Sequence, residues 1–179
     1  NIERGLPSNL IKSFYQDKNG FLWIGSDAGL VQFDGNEIVN YTHHIASHYV
    51  KDIKEFNDTT FIVVTDDDVY KVTYHLSVYN FKSISELYNQ TDFFFDYPKK
   101  VFVDSSKRIW VGGLQSVFCI DSTDINTFNF DESEIADSYF RSFQFFEDSE
   151  NRIYILSYYG SLFRFDENEK GVTLIDSKL

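Results

Sequence analysis

The stretch QDKNGFLWIGSDAGLVQFDG, Gln16 to Gly35, returns in looser form as VDSSKRIWVGGLQSVFCID at Val103–Asp121 and as EDSENRIYILSYYGSLFRFD at Glu147–Asp166. A chain that repeats itself folds as an array of like units, so the repeat limits the architecture more than any single residue does. Each copy has an apolar run, a polar turn, a second run holding a large aromatic residue, a second turn and a third run. A shorter fourth run follows. In the first copy these are Leu10–Gln16, Phe21–Gly25, Leu30–Asp34 and Glu37–Thr42, with Asn19-Gly20 in the first turn. Asn-Gly between alternating apolar runs is a strong hairpin signal, because both residues tolerate positive φ, and the turn reads as Asp17-Lys18-Asn19-Gly20.

A degenerate fourth copy is legible between the first and the third, with runs Ile53–Phe56, Phe61–Val64, Val69–Val72 and Leu76–Phe81. Trp23, Ile62, Trp110 and Tyr154 then occupy one equivalent position, recurring at roughly 40–50 residues. The spacing slips at 82–97, where SISELYNQ reads as one or two helical turns.

Four short antiparallel strands per unit at that period describe a blade of a β-propeller. The expected fold is therefore all-β, with four four-stranded antiparallel blades at about 10–42, 50–81, 98–130 and 142–176 in one partial propeller domain spanning 1–179. Composition agrees: 18% of the residues are aromatic and only 2 are Pro, which suits strands. A blade is apolar on both faces and must lie between neighbours. Trp23, Trp110 and Tyr154 are expected to fill that contact, with Gly25 and Gly112 letting backbones approach beside them.

Net charge and the remaining composition exclude several function classes. With 16 Lys+Arg against 28 Asp+Glu, a net charge of −12, the chain is unsuited to nucleic acid or an anionic membrane. No run of about 18 apolar residues is present to span a bilayer. The single Cys119 permits no internal disulfide. There is no Met, even at position 1, which reads as a processed or excised piece of a longer protein. No nucleophile elbow, phosphate-cradling glycine loop or metal-ligand spacing occurs, so no catalytic residue, cofactor or metal is expected.

The propeller type is discriminated by detail. Gly-His and Trp-Asp dipeptides are missing, and Gly-Gly occurs only at Gly112-Gly113. The Ser-x-Asp-x-Gly-x-x-Trp box of sialidases fails, because Gln16 and Lys18 stand where Ser and Asp are required. GLPSNLIKSFYQDKNGFLWIGSDAGLVQFDG, Gly5 to Gly35, instead resembles the two-component regulator propeller repeat, with its Gly-Leu-Pro-x-Asn lead, Asp-x-x-Gly-x-Leu-Trp-Ile-Gly hairpin and Gly-Leu ending. The later copies match through Asp104 and Ile109–Gly112, and through Asp148 and Ile153–Ile155. The resemblance implies the extracytoplasmic, periplasmic sensor of a Bacteroidetes-type regulator, commonly a hybrid two-component histidine kinase. It further implies a seven-bladed ring, an oligosaccharide ligand and a homodimeric full-length protein. The remaining blades would then be partners of this stretch, and the chain alone is expected to self-associate.

Function must lie in what varies between copies. One loop set joins second and third strands: Ser26–Ala28, Thr65–Asp68, Leu114–Ser116 and Ser157–Gly160. The other joins successive blades: His43–Tyr49, Ser83–Tyr97 and Asp131–Arg141. These read either as adjustable binding loops or as unselected variation. Asp66-Asp67-Asp68 offers carboxylates without the spacing of a calcium loop. His43, His44 and His48 lack the partners of a zinc site and read as surface imidazoles available to a ligand. Tyr158 and Tyr159 interrupt a turn that is small and polar in the first copy, and exposed aromatic rings can stack on sugars. His48, Asp66, Asp67, Tyr158 and Tyr159 are the candidate ligand residues. A paired-carboxylate glycosidase or lyase and a protein-interaction propeller are the alternatives.

Overall fold

The computed structural model describes residues 5–88, 93–130, 142–158 and 160–177 of the 179. Among the described residues, sixteen strands form four antiparallel four-stranded meanders. The first contains β1 (Ile11–Gln16), β2 (Leu22–Ser26), β3 (Gly29–Phe33) and β4 (Ile38–Asn40). The second contains β5 (Val50–Asn57), β6 (Thr60–Thr65), β7 (Val69–His75) and β8 (Val78–Ser83). The third has β9 (Lys100–Val103), β10 (Ile109–Gly112), β11 (Ser116–Ile120) and β12 (Ile125–Asn129). The fourth has β13 (Gln144–Glu147), β14 (Ile153–Leu156), β15 (Ser161–Asp166) and β16 (Gly171–Ser177). A single helical turn, α1 (Ile84–Leu87), follows β8, capped by the Ser83 hydroxyl, which accepts the Glu86 N–H at 3.2 Å. The chain divides into two compact units, Asn1–Val101 and Phe102–Leu179, the boundary falling within β9.

Burial follows strand rank. The central strands β6, β10 and β11 are buried at every residue, whereas β8 alternates and β16 is mostly exposed. A strand covered on both faces needs no polar alternation, and the runs TFIVVT, IWVG and SVFCI show none. In the first unit Trp23 is fully buried and meets Phe61 at 4.8 Å and Tyr79 at 4.7 Å between ring centroids. In the second unit Trp110, also fully buried, meets Phe165 edge-on at 5.0 Å.

Close approach is built into the same strands. A Cβ on Gly25 would lie 2.5 Å from Val50 Cγ1, and one on Gly112 would lie 3.0 Å from Phe143 Cβ. The start of the next sheet, Val50 in β5 and Phe143 just before β13, therefore rests directly on each glycine. Asp52, on β5, is buried and accepts the Ser13 hydroxyl at 3.2 Å and the Val101 N–H at 3.2 Å, with Lys100 Nζ at 3.4 Å. Cys119 is buried, and that burial pushes its thiol up to about 12, so it packs as a small apolar side chain.

The repeated aspartate explains the repeated tryptophan. Asp17 accepts the N–H groups of Asn19 and Phe21 through Oδ1 and the Trp23 indole N–H through Oδ2 at 3.0 Å. Asp104 accepts Arg108 N–H through Oδ1, and through Oδ2 the Trp110 indole at 2.8 Å and the Arg108 guanidinium at 2.6 Å. Asp148 makes the same turn, with Arg152 as partner. One carboxylate thus closes the hairpin and satisfies the single donor of a buried indole.

In the Asp17–Gly20 turn Gly20 takes positive φ, at 86°, and its N–H bonds Asp17 O at 2.9 Å. The aspartate side chain organises this turn, and the equivalent positions are Lys107 at φ 64° and Asn151 at φ 60°. Lys107→Gly is therefore expected to stabilise the protein by about 0.5–1 kcal/mol, and Gly20→Ala to destabilise it by about 1 kcal/mol, since a Cβ at Gly20 meets nothing within 4 Å. Urea melts of the two variants check this; opposite signs would refute the alignment of the turns.

Tyr154 is half-buried, whereas Trp23 and Trp110 are fully buried. Ile153 and Ile155 enter the core with Trp110, so period-two alternation sends Tyr154 to the other face of its sheet. There, with Phe146, Leu156 and Leu162, it lines an apolar hollow of about 400 Å³. Phe146 is 61% exposed on that face.

Candidate functional site

In the first unit three variable loops converge. The connector after β4 is anchored by Thr42, whose hydroxyl accepts the Leu30 N–H at 3.1 Å and donates to Leu30 O at 3.3 Å. It then makes a 3₁₀ turn over Thr42–His44 and runs past Ala46, whose N–H bonds the Tyr70 hydroxyl at 2.8 Å. The β6–β7 turn is closed by the Thr65 hydroxyl, which donates to Asp68 O at 3.0 Å and accepts the Asp68 N–H at 3.0 Å. The third segment is the end of β8 with α1. Between them opens a cleft of about 460 Å³ lined by His44, Ala46, Asp68, Tyr70, Phe81, Ser83, Ser85 and Glu86.

The cleft has an aromatic side and a polar side. The His44 imidazole stacks on Phe81, with ring centroids 4.8 Å apart and planes 8° apart. Burial, aided by neighbouring His43, lowers the His44 pKa, so the stacked ring is neutral near pH 7. The polar lining includes Asp68 and the hydroxyls of Ser83 and Ser85, which lie 2.9 Å apart. Burial raises the Asp68 carboxyl above its usual range; the Val69 N–H and the Ser83 hydroxyl oppose this, while the charges of Glu86 and Asp67 add to it. Hydroxyl and carboxylate acceptors facing an aromatic ring suit a ligand that carries both hydroxyls and an apolar face.

The sequence candidates fall around this cleft unequally. Asp68, the last of the acidic triplet, lines it; Asp66 and Asp67 do not. Asp66 accepts the Ser47 hydroxyl, and Asp67 is exposed with its N–H on Thr65 Oγ1 at 3.4 Å. His48 is exposed, and His44 is the imidazole that reaches the cleft. Tyr158 is 57% exposed in the second unit, and Tyr159 lies outside the described residues. Sequence reasoning missed Tyr70, Phe81, Ser83, Ser85 and Glu86 as a group. The two serines and Glu86 sat in a named variable loop, but Tyr70 and Phe81 are strand residues that looked like scaffold. Among the described residues no group of three His, Cys, Asp or Glu could hold a metal ion.

Residues 5–28 match the family model described as "Two component regulator propeller". The fold agrees with that of the extracellular domain of the hybrid two component system BT3049 from B. thetaiotaomicron, at 20% identity and a TM-score of 0.76, over 98% of this chain and 26% of that one. The extracellular domain of the hybrid two component system BT4673 from the same organism is similar at 19% identity and a TM-score of 0.70, over 98% of this chain and 22% of that one. An auxiliary nutrient binding protein from Bacteroides thetaiotaomicron matches at 13% identity and a TM-score of 0.60, covering 94% of this chain and 42% of that one. The chain thus spans about a quarter of the length of these two extracellular domains, and its four sheets are propeller blades. No curated protein matches the sequence. Among the described residues no helix is long and apolar enough to cross a membrane.

Proposed function

We propose that this propeller stretch is the ligand-sensing, extracytoplasmic part of a two-component signalling protein, and that it reads an oligosaccharide released from a complex glycan. It works in the periplasm without catalysing a reaction, beside further blades of the same ring and in a homodimeric whole. The signal passes to a histidine kinase or to a transcription-factor module. The observation that carries this reading is the cleft at Asp68 and Phe81: variable loops build a polar, aromatic-walled pocket on a scaffold matching the regulator repeat. His48, Asp66 and Asp67 flank it as outer contacts, and Tyr158 and Tyr159 offer a further stacking surface in the second unit.

Titration calorimetry of the chain against a panel of glycan fragments tests the proposal. One fragment is expected to bind without being hydrolysed. Asp68→Asn and Phe81→Ala should each weaken it by about tenfold, or about 1.4 kcal/mol. Hydrolysis would establish the glycosidase alternative. Silence across the panel, with a protein partner captured instead, would establish the interaction module.

A further inference from the structure

The sheet that carries Tyr70 and Phe81 on one face carries lysines on the other. Its register sets Lys54, Ile62, Lys71 and Lys82 directly opposite one another, one on each of β5, β6, β7 and β8. Residues opposed in this way point to the same face. Lys71 and Lys82 are neighbours in this row, and Thr73 and Asn80 are opposed on the same face one step along β7 and β8. These four side chains, with His75 and Leu87, line a hollow of about 280 Å³. Among the described residues no Asp or Glu lines it, in a chain whose net charge is −12.

These two lysines differ from Lys18 and Lys100, which pair with Asp58 at 2.8 Å and with Asp52 at 3.4 Å. Among the described residues no carboxylate lies within ion-pair distance of Lys71 or Lys82, and the Thr73 hydroxyl and Asn80 side-chain amide are not hydrogen-bonded. Lys71 Nζ lies 4.7 Å from the centre of the Phe56 ring. An aromatic face attracts a cation through its quadrupole but carries no net charge, so the ammonium is held without being neutralised. Lys71 is half-buried and Lys82 exposed. Like charges directly opposite in a sheet destabilise it, a cost that a bound anion removes. A lysine on an edge strand deters pairing with another chain. That role accounts for Lys82 on β8, but not for Lys71 on the interior strand β7.

We infer that Lys71 and Lys82, with the Thr73 hydroxyl and the Asn80 amide, form a binding site for one compact oxyanion: the carboxylate, sulfate or phosphate group of a small ligand. The two ammonium groups supply the charge, and the hydroxyl and amide supply further donors for the oxyanion's remaining lone pairs. A hollow of this volume lies at the small end of ligand sites, and the acidic protein around it repels an extended polyanion. The site is on the other face of the sheet from Tyr70 and Phe81, so it stands independently of the oligosaccharide reading.

The test titrates the chain with inorganic sulfate, inorganic phosphate and glucuronate, replacing chloride at a constant ionic strength of about 100 mM, and follows the backbone amides by NMR. At least one probe should give saturable shifts centred on β7 and β8, and the tightest identifies the group recognised. Lys71→Met keeps the side chain's length beside Phe56, and Lys82→Gln changes an exposed position; circular dichroism checks the fold of both. Each should weaken binding by about tenfold. Lys82→Gln alone decides the matter if Lys71→Met does not fold. Lys54→Gln removes the same charge from the same row but outside the hollow, and should change the affinity by less than about twofold. Absence of saturable binding by all the probes, or unchanged affinity in the hollow variants, overturns the inference. An equal loss in Lys54→Gln also overturns it, because overall charge and not the hollow would then attract the anion.

Discussion

Trp110→Ala and Trp23→Ala are each expected to destabilise the protein by about 3–5 kcal/mol in chemical denaturation, the range for deleting a large aromatic side chain from a packed interior. Both indoles are fully buried between two sheets, and the cavity left behind would be walled by rigid strands that collapse poorly. A second loss adds to the first. Removing the indole N–H leaves Asp17 or Asp104 with one donor fewer, and Asp104 is only 2% exposed. Trp110→Phe separates the two effects, because it keeps most of the volume and loses only the hydrogen bond; it should cost about 1–3 kcal/mol. Wild-type denaturation curves for the alanine variants would show that the sheets do not depend on these contacts.

Gly25→Ala should destabilise the protein by about 1–3 kcal/mol, the usual cost of overpacking. The new Cβ would sit 2.5 Å from Val50 Cγ1 and 3.0 Å from Val50 Cβ, on the adjoining sheet. Neither atom is the end of a flexible side chain, so a strand must move. Val50→Ala in the same chain removes the obstructing methyl groups, so the double variant should be more stable than the sum of the two single changes implies. Gly112→Ala should cost less, because its nearest neighbour, Phe143 Cβ, is 3.0 Å away. Strict additivity at positions 25 and 50, in thermal and urea melts, would mean that the sheets tolerate a wider spacing there.

What could be read from the sequence alone was whatever the repeat makes periodic. Strand order, the Trp23 and Trp110 contacts and the close approach at Gly25 and Gly112 all recur at fixed offsets, and local chemistry suffices to produce them. The aspartate at the head of each hairpin was visible as a repeated letter, but its role was not. Bonding an indole six residues on requires the turn to bring Asp17 back beside Trp23.

The cleft was legible only in part, for a different reason. Its loops were marked by their variation, and the acidic triplet pointed to the right turn. Which carboxylate faces the cleft is set by the Thr65 hydroxyl, which clamps both the N–H and the C=O of Asp68. Tyr70 and Phe81 alternate like any core residue of β7 and β8 and carry no mark of a ligand wall. Periodic local patterns determined the blades. Only the tertiary packing, which sets strands from different repeats side by side, decided which non-periodic residues share a pocket.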